Sequence, residues 1–250
     1  AGDAFEIVQS YETSSETNGD GFRSSSGHNT LIERVIRVDE DGVELEYDEA
    51  PEANSQRKGL NWQFPARIYR PTNGVPTLLN AAELEKRVDP WLKMTKMPRG
   101  ACGEWIFTWN AFKIECDPAS ALIIIEQYNL WLPKLSEGQP YLDNRALAVA
   151  PLQMKSRNEN GSLYVAELEI DPEKVKIGKA ESDAIIGKII GEPKPFESAL
   201  AKQANDRISG TISVTIEANA LGCITKRTHI TKLRIEANGQ VETSSRTVTL

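Results

Sequence analysis

The residues best able to do chemistry in this 250-residue chain are two histidines and three cysteines, and their spacing assembles no site. His28 lies among serines and glycines, and His229 lies in an alternating, strand-like stretch. Metal centres and most acid–base or nucleophilic chemistries draw on His and Cys, so no catalytic residue, metal ligand or cofactor is assigned. His229 shares its parity with Leu233 and Ile235, which predicts an inward ring held by a hydrogen bond. Carboxylates are plentiful but scattered. Glu44, Glu46 and Asp48 form one strand face, a solvated face unless another segment brings further oxygens to a divalent cation. Asp39-Glu40-Asp41-Gly42 lacks the rest of an EF-hand loop. A G-x-S-x-G elbow, an H-E-x-x-H pair and a Gly-rich phosphate cradle are missing. Asn160-Gly161-Ser162 fits a glycosylation acceptor, but a hairpin turn is the preferred reading. The chain is read as a non-enzyme.

Two further groups carry candidate roles. On a strand, Trp105, Phe107 and Trp109 share one face and would either line an apolar pocket or fill a core. Ile185, Ile186 and Ile189 fall on one helical face, either a cover for such a pocket or an ordinary packing surface. Cys102 and Cys116 on a straight strand would lie roughly 46–50 Å apart, whereas a disulfide needs about 4.4–6.8 Å. They pair only if the chain turns back near Trp109-Asn110; two buried free thiols are the alternative. Cys223 has no local partner.

Composition narrows the partners. With 29 basic and 36 acidic residues, net −7 and both signs dispersed, neither nucleic acid nor an anionic membrane surface is expected as a partner. No purely apolar run, Ala121–Ile125 included, exceeds five residues, far short of the roughly 20 a membrane helix needs. Ala1–Tyr11 has neither a basic start nor a continuous apolar stretch. The small residues Ala1-Gly2-Asp3-Ala4 suit the end left by removal of a leader, or a remnant of cloning. A periplasmic or secreted protein is the expectation.

The elements that would position these residues are strands at both ends, 1–70 and 209–250, and a helix-containing middle, 78–208, in one domain spanning 1–250. Phe5, Ile7 and Tyr11 mark a first strand, Asn18-Gly19-Asp20-Gly21 a hairpin turn, then strands from Phe22 to His28, Thr30 to Val38, Val43 to Asp48 and Leu60 to Tyr69. Asn80-Ala81-Ala82-Glu83 has the form of a capping box. Asp117-Pro118 and Asp171-Pro172 are N-cap and N1 pairs. Asp89-Pro90 suggests a separate short turn, and Phe196, Leu200, Ala204 and Ile208 a helix stopped by Ser209-Gly210. Tyr164, Ala166, Leu168 and Ile170 alternate, as do Ile212, Val214 and Ile216, and Asn238-Gly239 opens the last hairpin. The fold class is α+β: a large curved antiparallel sheet, a partly open barrel, with helices packed on one face.

This order, strands at both ends with the Asp117-Pro118 and Asp171-Pro172 helices between them, resembles the LolA-like proteins of the bacterial envelope. The resemblance implies an incomplete barrel around an apolar cavity covered by helices, holding a lipid or lipoprotein acyl chain. The stretch from Arg207 to Thr228 is similar to the tail of uncharacterised secreted bacterial proteins. The expected role is therefore a periplasmic carrier of an apolar small molecule or lipid. The alternative is an envelope component that meets another protein and has a filled core.

Overall fold

The computed structural model describes residues 1–18, 21–51, 61–107, 111–132 and 135–250. The first half holds β1 (Ala4–Thr17), β2 (Gly21–Val38), β3 (Gly42–Glu49), β4 (Ala66–Pro71), β5 (Thr77–Leu78), α1 (Ala81–Thr95), β6 (Trp105–Phe107), β7 (Ala111–Lys113) and α2 (Ser120–Gln127). The second holds β8 (Pro140–Tyr141), β9 (Ala150–Pro151), β10 (Gln153–Asn158), β11 (Gly161–Glu169), α3 (Pro172–Ile189), α4 (Phe196–Lys202), β12 (Arg207–Asn219), β13 (Ile224–Ala237) and β14 (Gln240–Thr249). Ten strands form one sheet in the order β10-β11-β12-β13-β14-β1-β2-β3-β4-β5, and β6–β7 and β8–β9 form two small ribbons. The sheet is antiparallel and open: its end strands β10 and β5 do not pair, so it does not close into a barrel. No helix among the described residues is long and apolar enough to cross a membrane.

The chain divides into two compact units, unit 1 comprising Ala1–Val8 and Asn29–Asn129, and unit 2 comprising Gln9–His28 and Leu130–Leu250. Two of these boundaries fall inside β1 and β2 and the third follows α2, and no linker composition marks them in the sequence.

Unit 2 is built on period-two alternation. Tyr164, Ala166 and Leu168 of β11 stand opposite Ile216, Val214 and Ile212 of β12. With Ile170, Ala146 and Leu152 they make one buried cluster, onto which Leu132, Leu135 and Val175 of α3 pack. Each turn chemistry has its cause. Asn238 (φ 52°) and Gly239 (φ 78°) carry the left-handed pair that a two-residue hairpin needs. Asn158 Oδ1 accepts from the N–H groups of Asn160 and Gly161, so Glu159-Asn160 is the β10–β11 hairpin turn, and Gly161 and Ser162 already belong to β11. Asp171 caps α3 by accepting from Glu173 N at 3.0 Å, with Pro172 opening the helix. Two boundaries differ from the expectation. Phe22–His28 and Thr30–Val38 are one strand, β2, uninterrupted at Gly27. A Cβ on Gly27 would lie 2.7 Å from the Tyr11 hydroxyl, so glycine makes room for that ring within the strand. Ile208 is not helical: α4 ends at Lys202, and Ile208 pairs with Ile235 in the sheet.

In unit 1 Leu45, Tyr47, Ala66 and Ile68 of the sheet and Leu84, Val88 and Leu92 of α1 are all nearly or fully buried. Here α1 runs straight through Pro90, so Asp89-Pro90 starts no separate turn. Asn80 does not cap α1 through its side chain; its amide oxygen accepts from Arg67 N and its amide nitrogen donates to Pro65 O, tying the helix start to β4. Trp62 and Phe64 precede β4 and are buried, with Trp62 Nε1 donating to Glu115 O at 3.2 Å and its ring 6.4 Å from Trp91. Residues 52–60, including the Leu60 assigned to a strand, lie outside the described residues, as does the centre of the Asn18–Gly21 turn.

Cys102 and Cys116 are joined by a disulfide with Cα atoms 5.6 Å apart, across the base of the β6–β7 hairpin. Cys223 is free and exposed. Closing a loop of this size removes unfolded-state entropy worth about 3 kcal/mol. Urea unfolding of a Cys223→Ser protein with and without reductant should differ by about that amount. Equal midpoints would show that the crosslink does not constrain the unfolded chain.

Candidate functional site

The site begins with the pairing of β3 and β4. Val43, Leu45 and Tyr47 stand opposite Arg70, Ile68 and Ala66, whereas Glu44 and Glu46 stand opposite Tyr69 and Arg67. Alternation therefore separates two faces. On one face the carboxylates meet arginines: Arg34 reaches Glu46 at 3.3 Å and Asp48 at 3.6 Å, Arg37 reaches Glu44 at 3.8 Å, and Arg67 also pairs with Glu44. The Glu44-Glu46-Asp48 stripe is a charge-matched face. No group of three or more His, Cys, Asp or Glu placed to hold a metal occurs among the described residues.

The other face is largely apolar but carries Arg70 and a Tyr47–Glu33 pair. Arg70 is 5% exposed, and its Nε and Nη2 have no hydrogen-bond partner among the described residues. Nearby, the fully buried Tyr47 donates its hydroxyl proton to Glu33. Burial and the Glu33 carboxylate push the Tyr47 pKa well up, and the Arg70 guanidinium opposes them. Arg70 forms part of the wall of an open cleft of about 640 Å³ within unit 1. Ile68 and Ile125 are its fully buried floor; Val75 and Ile123, 81% and 67% exposed, stand at its rim. The rim exists because α2 carries Leu122-Ile123-Ile124-Ile125 on consecutive positions, and one helical face cannot bury all four. Asp117-Pro118 is not the N-cap and N1 pair of α2: the cap is Ala119 and the helix opens at Ser120, with Asp117 accepting from Ala119 N at 2.9 Å in the turn before it. Glu126 sits at the mouth, its Oε1 accepting from Asn129 Nδ2 at 2.8 Å. Chemically, the arrangement can remove an apolar chain from water beside one buried positive charge.

The chain matches no protein-family model and no curated protein.

The aromatic and isoleucine groups singled out from the sequence lie elsewhere. Trp105 is half-buried and Phe107 is 64% exposed on the short strand β6 of unit 1, and Trp109 lies outside the described residues. Ile185, Ile186 and Ile189 lie on α3 in unit 2; Ile186 is half exposed and the other two are partly buried. None of the described ones lines the cleft at Arg70. Arg70 and Val75 were missed, although Arg70 shares the inward parity of Ala66 and Ile68, and that parity was the available signal.

His229 is held as its parity suggested. Its Nε2 is 2.8 Å from Asp143 Oδ2, while Asp143 Oδ1 accepts from Arg145 N at 2.8 Å. Arg145 Nη2 in turn donates to Thr231 Oγ1 at 2.9 Å. Both Asp143 oxygens are thus engaged, and the cluster pins residues 143–146 to β13. Burial works to raise the Asp143 pKa, but the His229 hydrogen bond, the Arg145 N–H and the Arg145 guanidinium outweigh it and hold the carboxyl below its usual range.

Two outcomes follow. A buried donor without a partner destabilises by about 1–3 kcal/mol, and Met can fill the space of an arginine stem. Arg70→Met should therefore unfold at the same or higher urea concentration; a loss above about 1 kcal/mol would mean that Arg70 is paired. A depressed carboxylate contributes stability above its unfolded pKa of about 3.9 that is lost as pH falls through the folded value. Asp143→Asn should accordingly show a shallower loss of stability than the parent on acidification below about pH 4. Parallel pH profiles would remove Asp143 from the acid response.

Proposed function

We propose that this chain is a non-enzymatic binding or carrier protein for an apolar ligand, held in unit 1 between β4 and α2. The cleft of about 640 Å³ carries this reading: its floor and rim are predominantly aliphatic, and it falls within the roughly 300–1,000 Å³ of small-molecule sites. Exposed apolar side chains gathered at an open concavity, such as Val75 and Ile123, are typical of binding surfaces. The Cys102–Cys116 crosslink supports an oxidising compartment, and with it a periplasmic or secreted location. A lipid or acyl chain, the cargo implied by the LolA-like resemblance, is the kind of molecule such a cleft suits, though that likeness is a fold analogy.

A second reading, an envelope interaction component, has one observation in its favour. Leu142, Leu147 and Val149 of unit 2 are 62%, 59% and 58% exposed along one segment, an apolar patch suited to a protein partner.

Burying a methylene is worth about 0.8 kcal/mol, roughly fourfold in affinity. Calorimetry with n-alcohols of increasing length should show affinity climbing by about that factor per carbon until the cleft is filled. Ile123→Asp should weaken dodecan-1-ol at least tenfold while leaving the unfolding midpoint within about 0.5 kcal/mol, as for other exposed positions. Alcohols that fail to bind the parent protein would remove this reading and favour the interaction component.

A further inference from the structure

We propose that the apolar cleft of unit 1 selects a single-chain amphiphile with a terminal carboxylate, and that Arg70 is the residue that reads that head group. This rests on the binding role proposed above and narrows it to a ligand class. Three observations converge. Arg70 is 5% exposed on a face otherwise made of Val43, Leu45, Ala66, Ile68 and Tyr47, where the Tyr47 hydroxyl and its Glu33 partner are the neighbouring polar groups and leave two of its donor atoms unpartnered. It lines the cleft whose other walls are aliphatic. Its two unpartnered atoms, Nε and Nη2, are the two that project parallel N–H bonds from one edge of a guanidinium. That edge matches the two oxygens of a carboxylate, and Arg–carboxylate pairs are commonly bidentate in this way.

The surroundings fit an anion more than a cation. The Glu33 carboxylate on the same face is already occupied, accepting from the Tyr47 hydroxyl. Glu126 at the mouth is exposed and accepts from Asn129, so water screens its repulsion of an entering anion. Shielded from water, the Arg70 edge would hold a carboxylate more strongly than a surface arginine could. The aliphatic wall would then take the chain, so acid and tail are recognised by separate parts of one cleft.

Calorimetric titration of the full chain with dodecanoate, dodecan-1-ol, dodecyl phosphate and dodecyltrimethylammonium, each below its micelle concentration, tests this. Dodecanoate should bind the parent protein at least tenfold more tightly than the alcohol, and the ammonium most weakly. Arg70→Met should bring acid and alcohol to within about twofold of each other. Arg70→Lys, which keeps the charge but not the fork, should retain only part of the preference. Equal affinity for acid and alcohol in the parent protein overturns the proposal and leaves the apolar-binding reading standing. So does a preference that survives Arg70→Met. Tighter binding of the phosphate than of dodecanoate overturns the carboxylate assignment. Failure of all four ligands overturns the binding reading itself. The acid–alcohol comparison uses the unaltered chain, so it decides the matter even if a variant does not fold.

Discussion

Backbone pairing between β3 and β4 forces each side chain in those strands to one side of the sheet or the other, and the properties of unit 1 follow from that division. Tyr69 and Arg67 must lie across from Glu44 and Glu46, and Arg70 must share the side taken by Ile68 and Ala66. A shift of β3 by one residue would turn Glu44 and Glu46 inward and Leu45 and Tyr47 outward. The register is therefore strongly specified by burial, and Arg70 is carried inward as a consequence of it.

The two units treat buried charge differently. In unit 2 Asp143 is enclosed but fully bonded, by Arg145 N on one oxygen and His229 on the other, and its ionised form is favoured despite burial. Such a satisfied group stabilises and positions a segment. In unit 1 Arg70 has donors left over. An unsatisfied cation facing an aliphatic cleft is a stability loss that makes physical sense when something else completes it. The charged face of β3 shows a third arrangement, arginines paired with carboxylates: Arg34 and Glu46 are solvent-accessible and their pair contributes little, whereas Glu44 is buried and held by Arg37 and Arg67.

The cleft also depends on a helix that the local sequence only weakly favours. Three consecutive isoleucines are β-branched and better suited to a strand. Ser120–Gln127 is nonetheless helical, because Ala121 and Ile125 of one face are completely buried and tertiary packing outweighs propensity. The helical choice is what leaves Ile123 outward at the rim.

Much of the architecture was legible in the chain because alternation is a local pattern with a period of two. Tyr164 to Ile170 and Ile212 to Ile216 declare their buried faces without knowledge of their neighbours, and Asp171-Pro172 and Asn238-Gly239 declare a helix start and a turn through their own backbone chemistry. The limits of such signals are equally local. The i+4 run through Phe196 and Leu200 reads on to Ile208, but cross-strand pairing with Ile235 claims that residue for the sheet. Likewise the polar breaks at Gly27 and Pro90 do not interrupt β2 or α1, since a ring packed against Gly27 and buried contacts on either side of Pro90 carry the elements through. The sequence by itself determined an antiparallel α+β chain, its main strand faces and its charge-balanced surface. Only the tertiary structure decided that Ile68, Arg70, Val75 and Ile123 share one cleft. The strand and the loop that follows it meet a helix tens of residues further along the chain, and such a meeting is set by the packing of whole elements, which leaves no periodicity in the chain to read.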